Sequence, residues 1–415
     1  MMKRASCQLL LFLLSLLIFS SCLKTEAERN DRLSLIPIQE QTAEIFVDTA
    51  GSDEVTNPSE VARQEPIPEK PAHHKLILVA AGDNLFHDTM IRPSPGGFNF
   101  RPYYSAIKPL IEKADLAFIN QETLLAGEEF GFSGYPRFNT PQELGLALID
   151  TGFDIINHAN NHVMDKGERA VFATMDFWDN HPEITYLGIH RSPEIRNTPI
   201  IIEKNNITLG FLSYTYGTNG LPVPRDKPFL VSLIDMDIME REINAIRPLC
   251  DFLIVSMHWG IEYEHTPSAQ QRRQSAFLAE LGVDLVIGHH PHVLQPMVYI
   301  PGNEDNEMLC VYSLGNFLSA QAQNATLLGG LLYLEIRKEE DQMFIDKSGI
   351  IPTVTHYEQG STNFRVYPLH DYTEEIFARH LNRTRSGLTL DFLNNLARTV
   401  LGENIINYNP FDTIQ

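Results

Sequence analysis

Six short apolar runs, each ending directly in polar residues, constrain the fold of this chain more than any other feature. The runs are KLILVAAGD, ADLAFINQE, FDIINHANNH, CDFLIVSMHWG, VDLVIGHHPH and MLCVYSLGNF. Apolar runs of this length are typical of buried strands. Helix-like stretches lie between them at 141–150 and 268–281, the latter predicted to have Thr266 as N-cap, Pro267 at its first position and Gly282 at its end. Strands that alternate with helices predict an α/β sheet architecture.

The polar residues that end these runs form a consistent chemical set. Open α/β sheets bind ligands outside the carboxyl ends of their strands, so we expect these side chains to meet there. Carboxylate, amide and imidazole groups together suit divalent ions such as Mn²⁺, Zn²⁺ or Fe²⁺. The sequence therefore predicts a site for one or two such ions. The candidates are Asp83, His87, Asn120, Glu122, Asn160, Asn161, His162, His258, His289, His290 and His292.

Each candidate also has a simpler explanation when it is taken singly. An aspartate after a strand, such as Asp83, is more often a turn or capping residue. Asn160 and Asn161 could support a left-handed turn, and His258 could be an ordinary buried histidine. The GHHPH run is harder to explain in this way, because three protonated imidazoles in four positions would repel one another. A shared cation gives these histidines a common role.

The start of the chain predicts export. Lys3 and Arg4 precede the apolar run 9–19, which is too short to span a bilayer as a stable anchor. Small residues before Cys22 resemble the bacterial lipobox, so residues 1–22 are predicted to be a lipoprotein-type signal peptide ending at a lipidated Cys22. An ordinary signal peptide or a retained anchor would also fit. In each case the body is expected in the cell envelope, outside the cytoplasm, and a lipid would anchor it to the membrane.

Composition predicts how the rest of the chain is divided. Residues 23–74 are rich in acidic residues and proline and are predicted to be a disordered linker. A main domain is expected over 75–368, with a helical extension packed on it over 369–415. Gly/Pro-rich loops at 93–102 and 217–228 are long enough to cover a site.

Charge and cysteine content exclude some classes of protein. Acidic residues outnumber basic ones by 53 to 32, and the formal net charge of −21 makes a nucleic-acid binder improbable, because phosphates would be repelled. The four cysteines include no CxxC pair, so no thiolate zinc site is predicted. Any structural disulfide would have to join Cys250 to Cys310.

Six motifs in order over residues 76–318 resemble the CapA family of capsule and poly-γ-glutamate synthesis proteins. They are GDNLFH, DLAFINQET, GFDIINHANNHVMDKG, MHWGIEYEHTPSAQQ, LGVDLVIGHHPHVLQ and YSLGNFL. That family is similar to the calcineurin-like metallophosphoesterases. The resemblance implies a four-layer α/β/β/α sandwich with two mixed sheets between helices, here followed by C-terminal helices.

The resemblance also implies roles for the strand-end residues. Asp83 corresponds to the aspartate of the Asp-x-His motif, and His87 is a candidate stand-in for its histidine at a different spacing. The bridging aspartate has no counterpart, so Glu122, two residues after Asn120, is the expected bridging carboxylate. The Gly-Asn-His motif matches Asn160, Asn161 and His162. Asn161 is expected as a metal ligand with a part in catalysis, and His162 as the general acid or the group that stabilises an oxyanion.

The remaining motifs supply further ligands and candidate substrate contacts. His258 matches an isolated ligand histidine, and His290 and His292 match the Gly-His-x-His motif, with His289 outside the set that binds metal. Substrate contacts are expected from residues that follow the later motifs, each of which could instead support a ligand. They are Glu262, Tyr263 and Asn316.

Two classes of function follow from the resemblance. The first is a metal-dependent hydrolase or transferase that acts on an anionic surface polymer or its precursor. The second is a non-catalytic accessory subunit of a polymer synthesis and export complex, with polymer-synthase subunits as partners. The joint presence of the ligand set favours chemistry, although a structural metal would also account for it. An acidic protein that handles a polyanion needs local positive charge, which bound ions, Arg137, Arg225 or Lys227 could supply.

Overall fold

The computed structural model describes residues 74–303, 306–340 and 342–413. The predicted signal peptide, Cys22 and residues 23–73 of the predicted linker lie outside the described residues. Within the described ranges, no helix is both long enough and apolar enough to cross a bilayer. Cys250 and Cys310 are both free thiols.

Fourteen strands and ten α-helices make up the described part of the chain. The strands are β1 (His74–Leu85), β2 (Leu116–Gln121), β3 (Ile155–Asn157), β4 (Thr185–Leu187), β5 (Ile200–Lys204), β6 (Ile207–Thr215), β7 (Phe252–His258), β8 (Leu285–His289), β9 (Met297–Pro301), β10 (Glu307–Val311), β11 (Asn316–Ser319), β12 (Leu328–Glu339), β13 (Gln342–Glu358) and β14 (Thr362–Pro368). The helices are α1 (Arg101–Tyr104), α2 (Lys108–Ile111), α3 (Glu143–Thr151), α4 (Glu168–Asp179), α5 (Pro193–Arg196), α6 (Met236–Ile246), α7 (Ala269–Glu280), α8 (Glu374–Phe377), α9 (Leu381–Arg385) and α10 (Leu390–Leu401).

The strands form two mixed sheets. The first sheet has the order β14-β13-β12-β1-β2-β3-β4, and β11 also pairs with β1. The second has the order β5-β6-β7-β8-β10-β9. Within the first sheet β1, β2, β3 and β4 run parallel, and within the second β6, β7, β8 and β10 do so. Parallel neighbours bring their carboxyl ends to one edge of each sheet, where the predicted site residues lie.

Alternate residues of the central strand β7 face different buried clusters. Phe252 and Ile254 belong to a cluster that also contains most of the first sheet's core, including Val79 of β1. Leu253 and Val255 belong to a second cluster, formed with residues of α6 and α7. This period of two is expected of a strand buried on both faces. The second sheet therefore packs between the first sheet and a helical layer, and the predicted α/β class with two mixed sheets and C-terminal helices is confirmed.

The start of α7 differs from the sequence prediction. The helix begins at Ala269 with Ser268 as its N-cap, so the assignment of Thr266 as N-cap is wrong. The Ser268 hydroxyl accepts a hydrogen bond from the Gln271 backbone N–H at 3.1 Å, and the Gln271 side chain accepts one from the Ser268 N–H at 2.8 Å. This capping box satisfies two backbone groups at once, which a cap at Thr266 would not do.

Gly82 lets β1 and β11 approach closely beside the predicted site. The backbone N–H of Asp83 donates to the Gly315 carbonyl at 2.9 Å, and a Cβ at position 82 would overlap that same carbonyl oxygen. Gly82→Ala should therefore lower the free energy of unfolding by about 1–3 kcal/mol or more, measured by urea denaturation. Gly217→Ala is the control, because no described atom lies within 4 Å of a Cβ there. Equal stability of the two variants would contradict the prediction.

Candidate metal centre

The predicted ligands converge from both sheets. Asp83 lies near the carboxyl end of β1, and Glu122 directly follows β2. In the second sheet, His258 is the last residue of β7 and His290 directly follows β8. Each side chain is therefore delivered by the end of a buried parallel strand, which fixes its backbone position.

Two groups of potential ligands share the Glu122 carboxylate. One group is Glu122, His258 and His290, and the other is Asp83, Glu122 and His292, with ligand atoms within 4.8 Å of one another in each group. Glu122 Oε1 lies 3.6 Å from His258 Nε2 and 3.8 Å from His292 Nε2. One carboxylate oxygen thus stands between a histidine of each group, which fits the bridging role expected of Glu122.

The Glu122 side chain is fully buried without a hydrogen-bond partner. Among the described residues, neither of its carboxylate oxygens has such a partner, and nor does His290 Nδ1. Burying a carboxylate without hydrogen bonds costs several kcal/mol of stability. A divalent cation held by oxygen and imidazole nitrogen would compensate it, so these residues fit a metal site.

Strong pKa shifts of both signs occur among these ligands. Burial raises the pKa of Glu122 well above its usual value, and the charge of Asp83 raises it further. Burial would also raise the pKa of Asp83, but the imidazoles of His289 and His292 outweigh it and hold the pKa well below normal. Burial by itself would lower the pKa of His292, yet the carboxylates of Glu122 and Asp83 raise it to about 9. Burial, together with the charge of His292, lowers the pKa of His290 to about 3. Shifts of this kind are typical of functional sites.

The GHHPH run holds two of its predicted ligand histidines in an uncommon backbone conformation. His290 has φ 96° and His292 has φ 58°, both in the left-handed region that favours glycine. Such conformations cost about 1–3 kcal/mol each and persist only where the surrounding structure enforces them. Both imidazoles are buried, and one ring nitrogen of His290 lies within 4.8 Å of one ring nitrogen of His292.

Asparagine side chains support the ligands from behind. Asn120 Nδ2 donates to Asp83 Oδ1 at 2.8 Å, and Asn157 Nδ2 donates to Asn120 Oδ1 at 2.8 Å. Asn316 Oδ1 lies 3.1 Å from His292 Nδ1, and Asn316 is only 1% exposed. Partners of this kind orient ligands and raise metal affinity. The structure thus places Asn120 behind Asp83, and Asn316 behind His292 rather than at an open surface.

Asn160 and Asn161, which follow β3, make different contacts. Asn160 Oδ1 accepts from the His162 backbone N–H at 3.0 Å, and Asn160 Nδ2 donates to the Gln121 carbonyl at 3.0 Å, so this residue shapes the loop. Asn161 Oδ1 lies 2.9 Å from His258 Nε2 and therefore faces the group that contains Glu122 and His290. Asn161 Nδ2 donates to Asn219 Oδ1 at 3.2 Å. The 217–228 loop therefore contacts the site.

His162 is oriented by an aspartate that the sequence analysis missed. Asp165 Oδ2 lies 2.7 Å from His162 Nδ1 and also accepts the Phe138 backbone N–H at 2.7 Å. Asp165 follows His162 by three residues in NHVMD, a spacing that could have drawn attention to it. His162 lines a cleft of about 400 Å³ beside the metal ligands. The other lining residues are Tyr135, Pro136, Arg137, Asn161, Asp165, Asn219, Leu221 and Glu262.

Besides His162, two further candidate histidines lie outside both groups of potential ligands. His87 Nδ1 is 3.2 Å from the Leu85 carbonyl, and burial lowers the pKa of His87 to about 4. His289 Nδ1 lies 3.4 Å from Asp83 Oδ1, so His289 is a neighbour of that carboxylate. Among the candidate cationic contacts, Arg137 lines the cleft, whereas Lys227 pairs with Glu168 at 2.7 Å.

Solved phosphoesterase structures resemble this chain weakly. A phosphatase from Mycoplasma pneumoniae is 13% identical with a TM-score of 0.45, over 68% of this chain and 95% of that chain. The calcineurin-like phosphoesterase YfkN from Bacillus subtilis is 14% identical with a TM-score of 0.42, over 78% of this chain and all of that one (100%).

Two curated relatives resemble this chain at higher sequence identity. The PGA biosynthesis protein CapA of Bacillus subtilis (strain 168) is 30% identical over 203 residues, which are 48% of this chain and 51% of that protein. The capsule biosynthesis protein CapA of Bacillus anthracis is 27% identical over 202 residues, 47% of each chain. The chain spans about half the length of these relatives. The family model for the bacterial capsule synthesis protein PGA_cap matches residues 77–321, more than half of the sequence, and the chain therefore belongs to that family.

Proposed function

We propose that this chain is a divalent-metal-dependent hydrolase or transferase that acts on an anionic surface polymer, or on its precursor, during capsule-type polymer biosynthesis. The observation that carries the proposal is the buried Glu122 carboxylate, which is shared by two groups of potential ligands and has no hydrogen-bond partner among the described residues. A scaffold has no physical need for such a carboxylate.

The ligand set suits one or two ions of Mn²⁺, Zn²⁺ or Fe²⁺. Asp83, Glu122, Asn161, His258, His290 and His292 would hold them. Ions bound there supply Lewis acidity and lower the pKa of water. With two divalent ions, the carboxylates of Asp83 and Glu122 neutralise only half of the added charge. The centre would then attract an anionic group although the whole chain is acidic.

His162 supplies the protein's own proton chemistry in this proposal. Asp165 occupies one ring nitrogen, Nδ1, so Nε2 is the nitrogen left to donate a proton to a leaving group or to stabilise an oxyanion. The ring packs edge-on against Phe138, with centroids 4.6 Å apart, which further fixes its plane. Arg137 lines the same cleft and offers a cationic contact to a second anionic group.

The biological setting of the proposal comes from the relatives and from the start of the chain. The names of both relatives refer to capsule or PGA biosynthesis, which supports a surface polymer as substrate. We place the protein in the cell envelope, anchored outside the cytoplasm through a lipid on Cys22, with polymer-synthase subunits as partners.

Cys22→Ser should abolish lipid labelling and release the protein from the membrane fraction. Unchanged labelling would contradict the anchor.

The proposed activity can be tested with γ-linked polyglutamate. The full chain is loaded with Mn²⁺ or Zn²⁺, incubated with the polymer, and compared with the same protein in excess chelator. We expect a change in polymer chain length, measured by gel filtration, that requires the metal. Metal-loaded protein that leaves the chain length unchanged, alone and with an acceptor oligomer, would contradict the catalytic proposal. It would favour the accessory subunit of a synthesis complex.

A further inference from the structure

An exposed carboxylate faces the two ligand histidines from the solvent side. A Glu262 oxygen and one ring nitrogen from each of His290 and His292 lie within 4.8 Å of one another. His290 belongs to one of the two groups that share Glu122, and His292 belongs to the other. Glu262 is exposed, whereas both histidines and Glu122 are buried. Glu262 is therefore the solvent-exposed member of the group that it forms with His290 and His292.

The two buried groups differ in the number of protein donors they offer. The group of Glu122, His258 and His290 has a fourth donor at hand in Asn161, whose Oδ1 lies 2.9 Å from His258 Nε2. The group of Asp83, Glu122 and His292 has three. His87, the expected additional donor there, is in none of the groups found among the described residues. A Glu262 carboxylate near His292 would add a fourth protein donor there, and its departure would leave the open coordination position that catalytic metal sites keep.

The loop that carries Glu262 is tied to the histidine run. Tyr263 has φ 67°, and its backbone N–H donates to the carbonyl of Pro291, the residue between the two ligand histidines, at 2.8 Å. The next residue, Glu264, accepts a hydrogen bond through its backbone carbonyl from the Gln295 side chain at 2.7 Å. His290 Nδ1 is buried without a hydrogen-bond partner among the described residues. A backbone hydrogen bond thus holds the segment that carries Glu262 against the segment that carries His290 and His292.

We propose that Glu262 is a metal ligand of this centre, bound from the solvent side. The inference rests on the proposed metal centre and gives Glu262 a different role from a substrate contact. Because Glu262 is the exposed member of the set, it is also the ligand that an incoming anionic group can displace while the buried ligands stay in place. The centre would then accept substrate by exchanging one carboxylate for another anion.

The test compares two neighbouring acidic residues. Binding of Mn²⁺ and of Zn²⁺ to the full chain is measured by isothermal titration calorimetry for wild type, Glu262→Gln, Glu262→Ala and the control Glu264→Gln. Glu264 is also exposed but belongs to no ligand group among the described residues. We expect both Glu262 variants to bind one ion about 10- to 100-fold more weakly, with Glu264→Gln unchanged. Melting temperatures in chelator should be equal for all four proteins.

Each contrary result has a separate meaning. Wild-type affinity in both Glu262 variants would overturn the inference and leave the metal centre intact. Equal weakening in Glu264→Gln would show a general effect of surface charge and would also overturn it. Wild-type protein that binds neither ion would contradict the proposed function and, with it, this inference.

Discussion

If the centre binds two ions, Glu122→Gln should reduce the metal content from two ions per chain to one or none, with affinity for any remaining ion lowered by more than about 100-fold. Glu122 is the one residue common to both buried ligand groups of the described structure, so its loss affects both ions at once. Loss of His258 or His292 should affect chiefly the group to which each belongs. Metal analysis by mass spectrometry and calorimetry measures the difference.

In the metal-free protein, the same substitution should leave the free energy of unfolding unchanged or raise it. Burial opposes the charged form of Glu122, and Asp83 adds repulsion. The amide of glutamine carries no charge, so in excess chelator the free energy of unfolding of Glu122→Gln should equal or exceed that of wild type. In excess metal the order should reverse, because wild type gains the binding energy, about 2.7 kcal/mol at 100 times the Kd.

Glu335→Gln is the control for a general effect of removing a buried acid. Glu335 is 7% exposed and pairs with Lys75 and Tyr333 in the first sheet. Its replacement should lower stability in chelator and in metal alike and leave the metal content at the wild-type value. A Glu122→Gln protein with two tightly bound ions would exclude a shared carboxylate at this position.

The strand-end positions of the candidate ligands could be predicted because they depend on local rules. An apolar run that ends in a polar residue places that residue at the edge of a parallel sheet, and this holds for Asp83, His258 and His290. The GHHPH run was recognised from the repulsion expected among its imidazoles. The left-handed conformations of His290 and His292 could not be read from the run, since only a few per cent of non-glycine residues adopt a positive φ, even though histidine does so more often than most.

Residues whose roles depend on contacts between distant segments could not be predicted. Asn157 and Asn219 contact site residues 37 and 58 positions away in the sequence. Asn157 lies in the FDIINHANNH run and Asn219 in the 217–228 loop, but neither position indicates which distant residue the side chain contacts. Asp165 is local, but its contact with the Phe138 backbone depends on a separate loop. The sequence suggested Glu122 as a carboxylate. Its place between His258 and His292 depends on how the two sheets approach each other.

His162→Ala should separate catalysis from metal binding. His162 lies in neither buried ligand group, and its Nδ1 is held by Asp165, so the variant should retain two ions with unchanged affinity. Loss of a positioned proton donor should lower kcat for the metal-dependent change in polymer length by about 10²- to 10⁴-fold, with little change in KM. Asp165→Asn should lower kcat less, because the ring remains but its orientation is no longer enforced by a charged partner.

The control for His162→Ala is His181→Ala, a partly exposed histidine that pairs with Glu183 on the surface. It should leave metal content and kcat at wild-type values. If His162→Ala lost metal in proportion to turnover, His162 would be a ligand rather than a proton donor. If cells carrying His162→Ala made normal amounts of polymer while the purified variant kept both ions, the ions would serve structure. The chain would then act as a subunit of the synthesis complex, because a reaction that needs a proton at the leaving group cannot continue at full rate without its donor.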